Sequence, residues 1–263
     1  MDINEIVMKI HEDLIDFGSK VEAASVRKLD SSSHLPKLVY GALCKKCAYA
    51  IRLHRAGLCL CEAGWTPITT ILLRTVMECA ANCLAIINNE CPEYMAFKYF
   101  YHPIMQIKLD EGYPMEKRNK ADIDLRQGVQ SLGDEAAKQK ATQFMEKDRI
   151  KVFWFRPEEN GVSAIIKKYG SVELKHVYST LSMSTHAGHL GMVLFQDNPD
   201  EITIEPSHNP VKELLSLVMS CRLVLELLEI RNNYEGLGFE VDYQDFLYRI
   251  IATEDAVRSL ILP

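Results

Sequence analysis

Apolar residues that recur every three or four positions run through almost all of this chain, and that period commits it to helices. Ile6, Ile10, Leu14 and Phe17 form one stripe and predict an opening helix from Ile3 to about Lys28. The period resumes from Leu35 to about Ala63, where Gly64 ends it. Thr66 as N-cap and Pro67 in the first turn open ITTILLRTVMECAANCLAIINN, which is apolar enough to be central in the core. A helix from about Pro92 carries Tyr94, Phe97, Tyr99, Phe100 and Tyr101 up to the Gly112-Tyr113-Pro114 break. Two polar helices, EKRNKADIDLRQG and DEAAKQKATQFMEKDR, are expected to join between Gly128 and Gly133. Beyond them lie a short helix over Ser163 to Tyr169, one from Val172 to about Phe195, a long one from Pro210 and a last one from Tyr243 to Leu260. VFWFRPEENG interrupts the pattern, with Trp154 expected as an aromatic plug over the core, and Glu201 to Glu205 reads as a short extended piece. Alternating strands and glycine-rich strand-to-helix turns are scarce, which argues against doubly wound and barrel enzymes. The expectation is an all-α bundle of about seven to ten helices. It forms a single domain over 1–263, with a polar helical insertion around 115–150.

Length and charge narrow the class further. The 263 residues are 48% hydrophobic, enough for a substantial core, and no linker or low-complexity tract divides them. A formal charge of -6 argues against a broad nucleic-acid surface and leaves room for a local basic groove. The opening MDINEIVMKIHEDLIDF carries acids throughout its apolar pattern, unlike a signal peptide, and no apolar run reaches the roughly 20 residues of a membrane span. A cytoplasmic protein without a membrane partner is expected.

Eight cysteines invite a metal reading, since Cys44, Cys47, Cys59 and Cys61 spell CxxC followed by CxC. Structural zinc wants four thiolates converging from turns or knuckles, whereas these lie in the continuous helical pattern ALCKKCAYAIRLHRAGLCLCEAG. Free thiols are the expectation here, as for Cys79, Cys83 and Cys221, with no metal and no cofactor.

Two helices carry polar groups that their surroundings leave unexplained. Tyr178, Ser182 and His186 repeat at four-residue intervals in HVYSTLSMSTHAGHLG, with His189 one turn further, so a phenol, a hydroxyl and two imidazoles share one helix face. Arg74 and Glu78 stand four apart in LLRTVMECAANCLAII, with Asn82 beyond, and a charge buried in so apolar a helix needs a partner. If the two helices face each other, Glu78 would orient or deprotonate His186 and Arg74 would hold an anionic group.

These two segments resemble an uncharacterised bacterial all-helical family, domain of unknown function 5677. The resemblance rests on the Arg-x-x-x-Glu of LLRTVMECAANCLAII and the Tyr-x-x-x-Ser-x-x-x-His of VYSTLSMSTHAGH, and covers about residues 35 to 235. It implies a distant kinship with the HEPN helical domains of prokaryotic toxins and antiphage systems, many of which cleave RNA. The usual HEPN signature, an Arg four to six residues before a His, does not precede His186 or His189.

Phosphate-binding glycine loops and the zinc-binding HExxH arrangement are missing. His186, His189 and Glu78 would make a two-His-one-carboxylate centre only with ligands brought from two helices. Ser182 on a helix lacks the strained elbow and oxyanion donors of acyl transfer. The leading expectation is a HEPN-like defence or toxin component engaging RNA or a protein partner. Arg74, Glu78, Tyr178, Ser182, His186 and His189 are its candidate catalytic residues, and His186 its proton-transfer group. The alternatives are a non-catalytic helical interaction module and a metal-dependent hydrolase. Apolar residues over more than a narrow stripe, around Leu214 to Ile230 and Phe246 to Leu260, suggest a homodimer.

Overall fold

The computed structural model describes residues 3–31, 36–150, 161–172, 174–175, 177–179 and 210–260. Among them lie nine named helices and no strand: α1 (Ile3–Ser31), α2 (Lys37–Glu62), α3 (Thr66–Ile87), α4 (Pro92–Leu109), α5 (Met115–Gln130), α6 (Glu135–Met145), α7 (Val162–Tyr169), α8 (Pro210–Glu235) and α9 (Glu240–Ser259). An all-α bundle is the architecture that the apolar period demanded. Trp154, the segment 201–205, Ser182, His186 and His189 lie outside the described residues.

Most helix boundaries follow local chemistry. In α1, Ile10, Leu14 and Phe17 are buried as the stripe required, while the helix runs on to Ser31. Gly64, at φ 76°, takes the left-handed conformation just past the end of α2, where a residue without a β-carbon costs least. The start of α3 departs from expectation: Thr66 is already helical and Trp65 occupies the N-cap position, with proline in the first turn. Proline tolerates that turn because its missing N–H has no intrahelical acceptor there.

The polar helices dock through small residues. A β-carbon on Gly128 of α5 would lie 2.4 Å from Cζ of Tyr101, so glycine lets the α4 ring lie against the α5 backbone. Buried Glu93 of α4 accepts hydrogen bonds from the backbone N–H groups of Gly133 and Asp134, each 2.8 Å, and fixes the turn into α6. Asp134 then accepts from Ala136 N–H as the α6 N-cap.

Helix α8 keeps its broad apolar surface within the bundle. Its apolar residues are spread around the helix, and the structure buries them inside the bundle: α8 packs against α1, α2, α3 and α9, with Leu214, Val218, Leu223, Val224, Leu227 and Leu228 all buried. Its breadth of apolar surface therefore needs no second subunit. The exposed apolar side chains of this region, Val241, Tyr248, Ile251 and Leu260, belong to α9 and its end.

Where α1, α2 and α8 meet, Gly18 of α1 makes room for Ile51 of α2. A β-carbon there would come within 2.7 Å of Ile51 Cδ1 and 3.8 Å of Leu228 Cδ1 in α8. That close three-helix junction positions the polar groups described next.

Candidate metal centre

Two turns before Gly18, α1 buries His11, and one turn after Ile51, α2 buries His54. Both lie on the inner stripes of their helices, between Val7 and Leu14 in one case and between Ala50 and Gly57 in the other. Cys221 enters from α8 beside Val218 and Val224. His11 is 2% exposed and His54 and Cys221 1% each. One potential ligand atom from each of the three lies within 4.8 Å of the others, and no other such group occurs among the described residues.

The imidazole centroids are 4.0 Å apart, with planes tilted by 31°. His54 Nδ1 lies 2.5 Å from the hydroxyl oxygen of Ser220, and His54 Nε2 lies 3.9 Å from Cys221 Sγ. If Nδ1–H donates to Ser220, the lone pair of Nε2 faces the sulfur, which is the tautomer a metal ligand needs. Nδ1 of His11 is buried without a hydrogen-bond partner. An imidazole nitrogen left so is costly, because burial removes its water and nothing replaces it.

Electrostatics keep the centre uncharged without a metal. Burial, with Arg55 adding repulsion, lowers the His11 pKa to about 4. Burial, with His11 and Arg55, holds His54 well below the usual imidazole range. Burial pushes the Cys221 thiol up to about 12. Two neutral imidazoles and a thiol are the donors of a soft or borderline cation, with the thiol giving up its proton on ligation. The donors fit such an ion chemically: two nitrogens and a sulfur, one imidazole already oriented by a neighbouring hydroxyl.

On the sulfur side, a void too small for a water molecule is lined by Val7, Ile10, Val218, Cys221, Ile250 and Thr253. Ile10 and Thr253 also line an open groove between α1 and α9, with Ile3, Ile6, Tyr248 and Ala252. Ile10 and Thr253 are thus common to the void and the groove.

The residues singled out from the sequence fare differently. Arg74 Nε and Glu78 Oε1 pair at 3.4 Å, but their side chains are 40% and 42% exposed. The pair lies at the surface of α3, which corrects the expectation of a buried charge. Tyr178 is half-buried against the core. All eight cysteines are free thiols: Cys47 and Cys61 are buried, Cys44 is half-buried and Cys59 exposed.

A second polar cluster, also unforeseen, occupies the same three helices. Arg231 of α8 pairs with Glu235 at 2.9 Å and with Glu22 of α1, and the Arg231 and Glu235 side chains are each 1% exposed. Arg231 also reaches Tyr40 Oη at 3.4 Å and Cys44 Sγ at 2.8 Å in α2, while Ser25 donates to Glu235. Lys28 donates to the carbonyls of Glu235 and Gly236 at the end of α8.

Sequence reasoning overlooked His11 and His54 because each stands alone on its helix, 43 residues apart, and a lone imidazole on an apolar stripe carries no local sign of a partner. The Arg231–Glu235 pair did have a sign, the same i,i+4 spacing that drew attention to Arg74 and Glu78.

No curated protein and no solved structure is significantly similar to the chain. No match links it to the HEPN domains. The described helices include none long and apolar enough to cross a membrane. A family described only as being of unknown function matches residues 40–202, a stretch that contains His54 and leaves His11 and Cys221 on its flanks. By that match over more than half of its length, the chain belongs to the DUF5677 family.

Proposed function

We propose that the chain is a metal-binding helical protein in which His11, His54 and Cys221 ligate one cation and fasten α1, α2 and α8 together. The observation that carries this reading is the buried, unpartnered Nδ1 of His11 beside a second imidazole and a thiol. Ligation through that nitrogen would use a lone pair that folding otherwise strands without a partner. The role is binding rather than hydrolysis. The ligands are buried, the void beside Cys221 admits no water, and the group contains no carboxylate to act as general base. The test is equilibrium dialysis of the reduced, metal-free chain against zinc and copper, beside Cys221→Ser and His11→Asn. One equivalent bound by the parent and lost in both variants supports the reading. Equal binding by all three proteins refutes it.

A second reading, engagement of RNA, has one supporting surface. Lys45, Lys46, Tyr49 and Arg52 of α2 line a cleft with Tyr99 of α4, and Lys46 lies 4.8 Å from the Tyr99 ring centroid. Within α2 the only acid is Glu62, its last residue. Cations interleaved with aromatic rings suit a single strand, through phosphate contacts and base stacking. Salt-dependent binding of single-stranded RNA that Lys46→Glu with Arg52→Glu abolishes would support it, and no binding at low salt would reject it. Cleavage by Arg74, Glu78 and His186 is a separate proposal, and loss of RNA cleavage in His186→Ala is its test. A homodimer through the exposed α9 residues Tyr248 and Ile251 is likewise a proposal, which monomer mass by light scattering at two concentrations would refute.

A further inference from the structure

We infer that the centre selects monovalent copper, Cu(I), over zinc and other divalent cations. This rests on the reading above, that His11, His54 and Cys221 hold a metal. Two independent features of the site point to the monovalent ion.

The first is coordination number. The group offers three donors, and the hydroxyl of Ser220 beside it is engaged with Nδ1 of His54. Structural zinc takes four protein ligands in a closed tetrahedron, and catalytic zinc completes its shell with water. Among the described residues no fourth His, Cys, Asp or Glu joins the group, and the void beside Cys221 is too small for a water molecule. A soft d10 cation such as Cu(I) is satisfied by three donors, and thiolate with imidazole is a donor set that suits it.

The second is charge. Two neutral imidazoles and one thiolate bring a single negative charge, so Cu(I) leaves the centre neutral whereas a divalent ion leaves it at plus one. The three ligands are almost completely removed from solvent. The charged side chain whose field reaches both imidazoles is Arg55, an exposed cation, which adds no compensating negative charge. An unbalanced charge at such depth is strongly disfavoured. The Arg231 cluster shows the contrast within the same helices, since its buried cation is met by two carboxylates.

Ligation balances simply. The Cys221 S–H bond breaks, a copper–sulfur bond forms, the two imidazoles each donate a lone pair, and one proton leaves to solvent. Copper enters and stays as Cu(I), so no electron is transferred. The groove between α1 and α9, which shares Ile10 and Thr253 with the void beside Cys221, is the approach we assign to the ion.

The test uses the full chain with Cys59→Ser, which removes the exposed thiol, kept reduced, metal-free and anaerobic. Cu(I) is titrated in competition with bicinchoninate, and zinc in parallel with a chromogenic zinc chelator. We expect one tight Cu(I) equivalent, bound about 100-fold or more tighter than zinc. X-ray absorption of the copper-loaded protein should show a three-coordinate ion with one sulfur and two nitrogen neighbours. Cys221→Ser should lose that equivalent, and Ser220→Ala should weaken it by about 10- to 100-fold with an unchanged circular dichroism spectrum. If Cys221→Ser does not fold, the neighbours of copper in the unaltered site still decide. Zinc bound as tightly as Cu(I) at this site overturns the selectivity and leaves the metal centre standing. Copper surrounded only by sulfur places it at other cysteines and overturns the inference. Failure to bind either metal overturns both readings.

Discussion

The junction of α1, α2 and α8 contains two buried polar clusters that differ in one respect. Around Arg231 the buried cation is compensated: buried Glu235 and half-exposed Glu22 face the guanidinium, Ser25 donates to Glu235, and Tyr40 and Cys44 accept from the remaining nitrogen. Around His11 the account does not close, because one imidazole nitrogen is buried without a partner and the cluster has no charge of its own. A satisfied network of this kind is architecture, since each member already has what burial took away. An unsatisfied one within ligand distance of a thiol and a second imidazole is where a cation would bind. The same three helices thus supply a fastening and a binding site.

The largest expected effect comes from breaking the satisfied cluster. Arg231→Ala would leave the Glu235 carboxylate buried without its guanidinium partner, and should lower unfolding stability by about 3–5 kcal/mol in urea titration. Arg231→Met combined with Glu235→Leu removes both buried charges and should recover much of that loss. A single substitution costing under about 1 kcal/mol would contradict the assignment of Arg231 as a core fastening.

Acid separates the clusters next. In the metal-free protein, the folded state holds His11 neutral down to about pH 4, whereas the unfolded chain takes up that proton near its ordinary value of 6.5. Stability is therefore full above about pH 6.5 and falls as pH drops towards 4, by about 3 kcal/mol from this residue. His54 adds to the loss in the same direction. His11→Gln should flatten the slope. A stability unchanged between pH 7 and 4.5 would show that the imidazoles are not held neutral by burial.

The smallest effect is expected at the pair that the sequence made most conspicuous. Arg74 and Glu78 are exposed enough that Glu78→Ala should cost under about 1 kcal/mol and leave the α3 core packed. A cost above about 2 kcal/mol would indicate partners of Glu78 that the surface position does not explain.

That reversal marks the limit of what the sequence carries. Helix periodicity in α1, α2 and α4 reflects which faces are buried, and a period of 3.6 can be read from a single strip of chain. Spacing also announces pairs within one helix, and it announced Arg74–Glu78 and Arg231–Glu235 in the same way. It does not say which pair faces water, since α3 and α8 are both apolar and only packing decides. His11, His54 and Cys221 come from three helices, each lone on its own apolar stripe, so nothing local distinguishes them from core residues. Their convergence depends on how closely α1 and α2 approach, to which Gly18 contributes by leaving room for Ile51. The Tyr178 to His189 face, the most regular polar pattern in the chain, lies mostly outside the described residues.

The central claim is that the His11 cluster is completed by a cation, and metal-dependent unfolding tests it most directly. The reduced, metal-free chain is melted alone and with Cu(I) or zinc buffered at known free concentration, beside His54→Gln and Arg74→Ala. Metal at about 100 times its dissociation constant should stabilise the unaltered chain and Arg74→Ala by about 2.7 kcal/mol, and leave His54→Gln unmoved. An unaltered chain whose melting is indifferent to both metals, or a His54→Gln variant stabilised as much as its parent, would contradict the account.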